Sequence, residues 1–251
     1  MRKSQLIYQY IREQGAVSKQ DIVIGLGLSL PTITQNLNNL AELGLIDTSK
    51  KISNTGGRNA TAYSYIEKAR YAVGLYLNRH HINCVAVDLS GNVISLIRVR
   101  ENFDLNDDNY LRKIGETVEE VKKDTGLPDD RFLGVGIAVQ GLISDDGERV
   151  TYGLTLNFTG VTRADIAKYI PYHNRLFHDS AAAGYAEVWD RNDLDDAFYL
   201  SLSNSVGGAV IVANKIFEGE RRKSGEIGHM TIIPKAGDRC YCGQRGCFDT
   251  V

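Results

Sequence analysis

The sequence predicts an α/β protein built from two parts of different character. The first 66 residues hold three short amphipathic segments and a basic hairpin, whereas apolar runs interleaved with a long amphipathic segment fill residues 67–251. Apolar runs that alternate with helices are typical of an α/β sheet. Residues 1–66 carry seven Lys/Arg and four Asp/Glu, a net charge of +3, and the remainder carries −5. A mildly basic head on an acidic body fits a DNA-binding module joined to a different domain.

The first two helices of the head follow from apolar spacing and from their end signals. Leu6, Ile7, Tyr10 and Ile11 share one helical face, which predicts a helix over residues 3–14 that ends at Gly15. Ser18 is a good N-cap for a second, short helix.

The third helix is predicted to follow Ser29, with Pro31 in its first turn, where a missing N–H costs little. Its buried stripe is predicted to comprise Ile33, Leu37, Leu40 and Leu43. The arrangement is that of a helix-turn-helix, and polar side chains at the start of the third helix can bond to base edges. These candidate DNA-binding residues are Ser29, Pro31, Thr32, Thr34, Gln35 and Asn36. A three-helix packing unit with a solvated Asn/Gln face is the alternative.

A hairpin after the third helix favours DNA binding. Residues 47–60 are polar, basic and rich in glycine, and they lie between two predicted strands. Lys50 and Lys51 are expected to contact phosphates, and Gly57 and Arg58 to enter a narrow minor groove. A solvated turn is the alternative. The prediction is a winged helix-turn-helix DNA-binding domain over residues 1–66.

The body is predicted to open with three strands, a helix and a buried strand, and to continue after residue 197 with two more strands. The predicted segments are 71–77, 82–87, 93–99, 108–126, 132–139, 197–203 and 209–213. No apolar run approaches the ~18 residues of a membrane span, and the N-terminus does not have the pattern of a signal peptide. We therefore expect a cytoplasmic protein with reduced thiols.

The last 27 residues hold a candidate metal site. His229, Cys240, Cys242 and Cys247 offer three thiols and an imidazole, the donor set of a closed tetrahedral zinc site. Thiolates favour zinc over magnesium or calcium. Unrelated core cysteines or disulfides are the alternative, although disulfides are rare in the cytosol. The sequence therefore predicts a structural Zn²⁺.

The same segment carries a family resemblance. The run G-E-I-G-H at residues 225–229, followed by C-x-C-G-x-x-G-C and an acidic residue, resembles the signature of the ROK family of repressors, open reading frames and kinases. Thr55-Gly56-Gly57-Arg58 resembles the wing of ROK repressors of the xylose and N-acetylglucosamine type, although Asn59-Ala60 stands where those often have Arg-Pro. The resemblance implies an actin-like, sugar-kinase-like domain over residues 67–251. Family members continue well beyond residue 251, so we expect a C-terminally truncated chain, a fragment or a natural form, with an incomplete second lobe.

The resemblance also implies a sugar site. In the family, the residue matching His229 binds both zinc and sugar, the one matching Glu226 bonds sugar hydroxyls, and the one matching Asp179 is the kinases' general base. His178 replaces the usual Asn beside that base. Gly141 and Asn157 lie in segments that border the sugar in relatives.

The first hairpin of the body argues against phosphoryl transfer. Where ROK kinases have Asp-x-Gly-Gly-Thr to cradle ATP phosphates, residues 76–80 read Tyr-Leu-Asn-Arg-His. Side chains at Asn78 and Arg79 would block the close backbone approach that phosphates need. Ser205 also replaces a glycine of the second phosphate loop, at residues 203–208. The sequence therefore predicts a protein that is not an enzyme.

The leading interpretation is a sugar-responsive transcriptional repressor of carbohydrate genes. Its expected partners are an operator in double-stranded DNA and a sugar or amino-sugar effector, and it is expected to form a homodimer or a higher homo-oligomer. One alternative is a ROK-type kinase of a hexose or amino sugar with a DNA-binding head. Another is a zinc-stabilised DNA-binding protein without a working ligand site.

Overall fold

The structure, a computed structural model, describes residues 2–52, 60–189, 195–203 and 205–251. The chain divides into two compact units, Met1–Arg70 and Tyr71–Val251. The division lies after Arg70, four residues beyond the boundary that the sequence predicted. A short 3₁₀ turn at Glu67–Ala69 belongs to the first unit, and Arg70 is tied back to it by donating to the carbonyl oxygen of Leu43 (3.0 Å).

Three helices form the core of the first unit: α1 (Lys3–Gln14), α2 (Lys19–Leu26) and α3 (Leu30–Glu42). Gly15 ends α1 at a φ of 77° that most residues avoid. The Ser18 hydroxyl accepts from the amide of Asp21, whose carboxylate accepts from the amide of Ser18, so a capping box begins α2. The side chains buried between the helices include Ile7, Ile11, Ile22, Ile33, Leu37 and Leu40.

The buried stripe of α3 ends at Leu40, three residues earlier than predicted. Leu43 is the residue after the last helical turn, and 48% of it is exposed. Gly44 follows with a φ of 65°, which turns the chain away before Leu43 can pack inward. The prediction that Leu43 is buried was therefore wrong.

Four short strands complete the first unit. The strands β1 (Ile46–Asp47) and β4 (Ser64–Tyr65) pair antiparallel, and so do β2 (Lys51–Ile52) and β3 (Ala60–Thr61). Residues 53–59 of the predicted wing, including Gly57 and Arg58, lie outside the described residues.

The second unit is an α/β body with a five-stranded, a three-stranded and a two-stranded sheet, and the seven predicted elements occur in the predicted order. Its helices and strands are β5 (Tyr71–Leu77), β6 (His81–Asp88), β7 (Val93–Arg100), α4 (Asp108–Asp124), β8 (Phe132–Val139), β9 (Leu142–Ile143), β10 (Val150–Tyr152), α5 (Arg163–Ile166), β11 (Asn174–His178), α6 (Asp179–Val188), β12 (Ala197–Leu202), β13 (Val206–Val212) and β14 (Lys215–Phe217).

The larger sheet is mixed and has the order β11-β8-β5-β6-β7. The strands β11, β8 and β5 run parallel, while β6 and β7 extend the sheet antiparallel. Every second residue of β5 and β6 is buried, because successive side chains point to opposite faces of a strand. The apolar stripe of α4, through Ile114, Val118 and Val121, packs in the same core.

The three-stranded sheet has the order β12-β13-β14, and α6 packs against it. Gly184 on α6 permits that packing, because a Cβ there would lie 2.8 Å from the Cβ of Ala209. Since α6 also begins directly after β11, it joins the two sheets. Among the described helices, none combines the length and the apolarity that a bilayer crossing requires.

Candidate metal centre and ligand cleft

The four predicted metal ligands lie on a compact loop after β14, here called the metal loop (residues 225–251). His229 ends a 3₁₀ turn, and Cys247 directly precedes another. The amide of Cys240 donates to the carbonyl oxygen of Gln244 (2.8 Å), and the amide of Gly243 donates to that of Cys240 (3.0 Å). The amide of Phe248 donates to the carbonyl oxygen of Met230 (2.9 Å), which brings Cys247 back beside His229. Backbone hydrogen bonds therefore gather ligands that are far apart in sequence.

The donor atoms have the spacing of a tetrahedral zinc site. One donor atom from each of His229, Cys240, Cys242 and Cys247 lies within 4.8 Å of all the others. The Sγ atoms of Cys242 and Cys247 are 3.7 Å apart, and Nδ1 of His229 is 3.6 Å from Sγ of Cys240. Tetrahedral bonds of ~2.3 Å to sulfur and ~2.0 Å to nitrogen require separations of about 3.8 Å between sulfurs and about 3.5 Å between sulfur and nitrogen. The residues present therefore fit a zinc ion.

The same distances argue against the disulfide alternative. A disulfide bond places its sulfur atoms ~2.05 Å apart, whereas the pair in the metal loop is 3.7 Å apart, and all four cysteines are free. Burial raises the pKa of the Cys240 thiol, and burial raises the pKa of Cys247 to about 12. A bound cation offsets that cost because it stabilises the thiolate form.

Two glycines give the metal loop its tight course. Gly246 has a φ of 71°, and a Cβ there would lie 1.9 Å from the carbonyl oxygen of Ile233. Gly243 has a φ of 93° but no neighbour within 4 Å of such a Cβ. Gly246 is therefore required by both conformation and space, and Gly243 by conformation alone.

The metal loop also forms one side of a polar cleft. Nε2 of His229 faces away from the thiols and lies 3.9 Å from Oε2 of Glu226. Oε1 of Glu226 lies 3.9 Å from Nε2 of His178, which is 3.5 Å from Oδ1 of Asp179. Most of these separations exceed hydrogen-bond length. The four side chains thus form an open row of donors and acceptors that a hydroxylated ligand can bridge.

Asp179 is placed by the junction of β11 with α6. It is the first residue of α6, where a negative charge is favourable, and it accepts from the amide of Ser180 (2.8 Å). Burial raises the pKa of the Asp179 carboxyl, while the neighbouring His178 and the bonds from Ser180 act in the opposite direction. Burial, followed by the charge of Asp179, raises the pKa of Tyr76, and the Tyr76 hydroxyl accepts from the side chain of Gln140 (3.3 Å).

Five of the six predicted sugar-site residues line this cleft: Gly141, His178, Asp179, Glu226 and His229. A Cβ at Gly141 would lie 2.8 Å from the carbonyl oxygen of Tyr152, so the glycine allows β10 to approach. Asn157 is exposed, has a φ of 54°, and is not among the lining residues.

The cleft has polar and aromatic lining residues that the sequence reasoning missed. They include Gln140, Tyr152, Thr155, Ser201, Ser203, Ser205 and Tyr241. Of these, Tyr241 had a sequence signal, since it stands between two predicted ligands, Cys240 and Cys242, and Ser203 and Ser205 lie in the segment compared with the second phosphate loop. The others come from segments that only the fold brings together.

The first hairpin of the second unit is a closed turn. The side-chain oxygen of Asn78 accepts from the amides of His80 (3.1 Å) and His81 (2.9 Å). The Arg79 guanidinium donates to the carbonyl oxygen of Thr155 (2.7 Å). The amides of His80 and His81 are therefore engaged with the turn's own side chain, and the Arg79 guanidinium is engaged with Thr155.

In the first unit, several polar side chains of α3 bond within the helix. Ser29 is the N-cap residue of α3, as predicted, and its hydroxyl meets that of Thr32 (2.9 Å) rather than a backbone amide. The Thr34 hydroxyl donates to the carbonyl oxygen of Leu30, and the Asn36 amide to that of Thr32, both at 2.8 Å. Pro31, Gln35, Lys50 and Lys51 are exposed.

Comparisons with known proteins agree with this arrangement. The model of the ROK family matches residues 72–251. The xylose repressor of Bacillus subtilis (strain 168) is 26% identical over 259 residues, covering 97% of this chain and 64% of the repressor. The DNA-binding transcriptional dual regulator NagC of Escherichia coli (strain K12) is 24% identical over 259 residues, covering 99% of this chain and 61% of the regulator.

A solved structure extends the likeness to the fold of the whole chain. The crystal structure of a ROK family transcriptional regulator, described as a homologue of the E. coli MLC protein, aligns with a TM-score of 0.79 and 22% identity. It covers 99% of this chain and 63% of that regulator, so the chain spans less than two thirds of the length of each of these relatives. With an α/β sugar-kinase-like fold and a family match over its whole second unit but one residue, this chain belongs to the ROK family.

Proposed function

We propose that this protein is a sugar-responsive, DNA-binding transcriptional repressor of carbohydrate metabolism genes and has no kinase activity. The observation that carries the proposal is the cleft itself. All four polar side chains of the row, His229, Glu226, His178 and Asp179, are present beside residues that fit a zinc ion. The hairpin that would hold nucleotide phosphates is instead closed by Asn78 and Arg79. Such a body can bind a sugar without transferring a phosphoryl group to it.

The first unit supplies the DNA-binding half of the proposal. Three helices followed by the β2–β3 hairpin have the order of a winged helix-turn-helix. Pro31 and Gln35 are exposed at the start of α3, the end that reads base edges in such domains, and Thr32, Thr34 and Asn36 lie beside them. Lys50 and Lys51 would neutralise phosphates, and Gly57 and Arg58 would enter the minor groove.

The metal loop supplies the sensing half. His229, Cys240, Cys242 and Cys247 would hold a structural Zn²⁺, which polarises and fixes the His229 imidazole when bound. Nδ1 of His229 faces the thiols, so with Nδ1 holding the metal, Nε2 would carry the proton and could donate to a ligand hydroxyl. Glu226 and Asp179 would accept hydrogen bonds from ligand hydroxyls. His178 would offer a ring nitrogen where an asparagine would offer an amide group.

The relatives support the partners proposed here. Those compared are described as a xylose repressor and as a DNA-binding dual regulator, which favours operator DNA and a sugar or amino-sugar effector for this chain. We propose a homodimer or a higher homo-oligomer, because paired reading heads need two copies whose spacing a ligand can change. A thiolate metal site favours a reducing compartment such as the cytoplasm.

The test is selection of binding duplexes from a random DNA pool, followed by shift assays on the selected duplex with D-xylose, D-glucose and N-acetyl-D-glucosamine. We expect one of these sugars to change operator affinity. Lys50→Ala should lower the salt dependence of binding by about one unit of slope. Lys113→Ala, the same charge change on α4, should leave it unchanged. Selection of no duplex, or affinity that no sugar changes, would contradict the corresponding half of the proposal.

A sugar kinase with a DNA-binding head is the second candidate, and the retained Asp179 favours it. That carboxylate keeps the position of a general base at the start of α6. The closed hairpin opposes it, because phosphoryl transfer depends on positioning and charge neutralisation of the nucleotide. A coupled assay with ATP and the three sugars should detect no sugar-dependent ADP release, and detection of such release would overturn the choice.

A further inference from the structure

Helix α3 exposes three carboxamide side chains on the face opposite its buried stripe. The buried residues of the helix are Ile33, Leu37 and Leu40. Gln35, Asn38 and Asn39 are exposed. Because residues three or four positions apart are neighbours on a helix surface, Gln35 lies beside both asparagines. These three side chains are here called the amide face.

The amide face differs from the other polar side chains of α3 in its hydrogen bonding. The Thr34 hydroxyl donates to the carbonyl oxygen of Leu30, and the Asn36 side chain donates to that of Thr32, both at 2.8 Å. Among the residues that the structure describes, none forms a hydrogen bond with a side chain of the amide face. Thr34 and Asn36 therefore bond their own helix, whereas the amide face keeps its donors and acceptors for an outside partner.

The helix also lacks the side chains that recognise guanine. Residues 20–49, which include all of α3, contain no lysine, arginine or histidine. In the major groove, guanine presents two acceptors, O6 and N7, which arginine or lysine meets with donors. Adenine presents the N7 acceptor and the N6 amino donor, which match the oxygen and the NH₂ group of a carboxamide. The chemistry of α3 is therefore matched to adenine rather than to guanine.

We propose that the amide face reads adenine edges in the major groove of the operator, with Gln35 as its principal reader. The inference rests on the proposed DNA-binding function and adds to it the class of base pair that is recognised. Gln35 is the sixth residue of α3, near the end of a recognition helix that contacts base edges.

The spacing along the helix predicts how the recognised bases are arranged. Asn38 and Asn39 lie three and four residues beyond Gln35, which is about 5 Å along the helix axis at ~1.5 Å per residue. Base pairs are ~3.4 Å apart along the duplex. We therefore expect each half-site to contain A·T pairs one or two steps apart in the segment that α3 covers.

Base analogues test the contact on the duplex that the full chain selects from random DNA. 7-Deazaadenine keeps Watson–Crick pairing but lacks the N7 acceptor. At an adenine bonded by the amide face, it should weaken wild-type binding roughly fivefold, the factor for one hydrogen bond. Gln35→Ala should bind the unmodified duplex roughly tenfold more weakly and show no further loss at one of these adenines. Gln14→Ala, which changes an exposed glutamine at the end of α1, is the matched control and should behave as the wild type does.

A changed reader should also change the preferred base. Gln35→Arg places several donors where the carboxamide was, so selection with this variant should exchange one A·T pair of each half-site for G·C. Gln14→Arg adds the same charge outside α3 and should select the wild-type duplex. The salt dependence of binding separates base reading from phosphate contact. Gln35→Ala should keep the wild-type slope, because a neutral side chain releases no counterions.

The possible failures are distinguishable from one another. Equal losses for the wild type and Gln35→Ala at every 7-deazaadenine of a selected duplex would overturn adenine reading by Gln35 while the DNA-binding function stands. Selection of the wild-type duplex by Gln35→Arg would do the same, and it is the result expected of a merely solvated helix face. Selection of no duplex by the folded wild-type protein would contradict the proposed function and the amide face together.

Discussion

The metal loop and the first hairpin of the second unit differ in what their backbones can still do. In the metal loop, Gly246 packs its backbone against the Ile233 carbonyl, and the donors for one ion converge within 4.8 Å. In the hairpin, Asn78 bonds the amides of its own turn, and Arg79 points to Thr155. One turn gathers four donor groups around a common point, while the other engages its own amides with a side chain. The proposed function, ligand binding without phosphoryl transfer, rests on this difference.

The largest expected effect comes from removing one ligand of the metal loop. Cys247→Ser replaces a buried thiol with a poorer donor, and we expect zinc affinity to fall by more than about 100-fold, beyond what loss of a supporting residue causes. The midpoint of thermal unfolding should fall with it, because metal binding stabilises the folded state. Cys84→Ala is the control, since Cys84 is buried in the core away from the site and its loss should leave zinc content unchanged. Full zinc content in Cys247→Ser would show that Cys247 does not hold the zinc ion, which would contradict the metal site described here.

A matched glycine pair tests how tightly the metal loop is built. Gly246→Ala places a Cβ 1.9 Å from the carbonyl oxygen of Ile233, so the loop must shift, and we expect a loss of about 3 kcal/mol in the free energy of unfolding. Gly243→Ala meets no neighbour and carries only the cost of a positive φ, about 1 kcal/mol. Chemical denaturation of the zinc-loaded variants measures both. Equal losses at the two positions would contradict the packing described for Gly246.

We expect Asp179 to lower the stability of the folded protein and to strengthen sugar binding. Burial raises its pKa in the folded state above the ordinary 3.8, so the charged form lowers the stability of the folded protein. Asp179→Asn should therefore raise the unfolding free energy at pH 7 while it weakens sugar binding by about tenfold, through loss of a charged acceptor.

The unfolding free energy of the wild-type protein should depend on pH because of this raised pKa. Between the unfolded pKa and the raised folded pKa, the folded protein binds more protons, so wild-type stability rises as pH falls through this window. The stability advantage of Asp179→Asn should shrink over the same range and vanish below pH 3.8. Denaturation curves of both proteins across that pH range measure the difference in unfolding free energy. A difference that does not change with pH would contradict the raised pKa of Asp179 in the folded protein.

The smallest effect is expected in the hairpin. Asn78→Ala removes the acceptor for the amides of His80 and His81, and we expect a loss of about 1 kcal/mol with no change in zinc content. Asn78→Asp keeps the acceptor and should stay within ~0.5 kcal/mol of the wild type. A loss of zinc in Asn78→Ala would show that the hairpin and the metal loop are not independent of each other.

Local signals in the sequence were sufficient for most elements and for the metal ligands. Helix α1 ends at Gly15 and α2 begins after Ser18, as predicted, because both signals act within a few residues. The four candidate metal ligands, predicted from donor type and spacing, lie close together in the structure, since these are chemical properties of the chain itself. Leu43 was wrongly placed because periodicity does not show where a helix stops.

The cleft could be predicted only in part. His178, Asp179, Glu226 and His229 came from motifs, but Gln140, Thr155 and Ser201 lie on separate elements and carry no motif of their own. Their convergence depends on α6 joining the two sheets, which is a tertiary property. Asn157, expected near the sugar, is instead exposed with a φ of 54° and does not line the cleft.

Metal analysis of the purified full chain tests the central claim most directly. Protein prepared under reducing conditions without added chelator should contain one zinc ion per chain by mass spectrometry, and its zinc should be released when the three thiols of the metal loop are titrated. Fully reduced, folded protein that contains no zinc and takes up none when it is supplied would contradict the account.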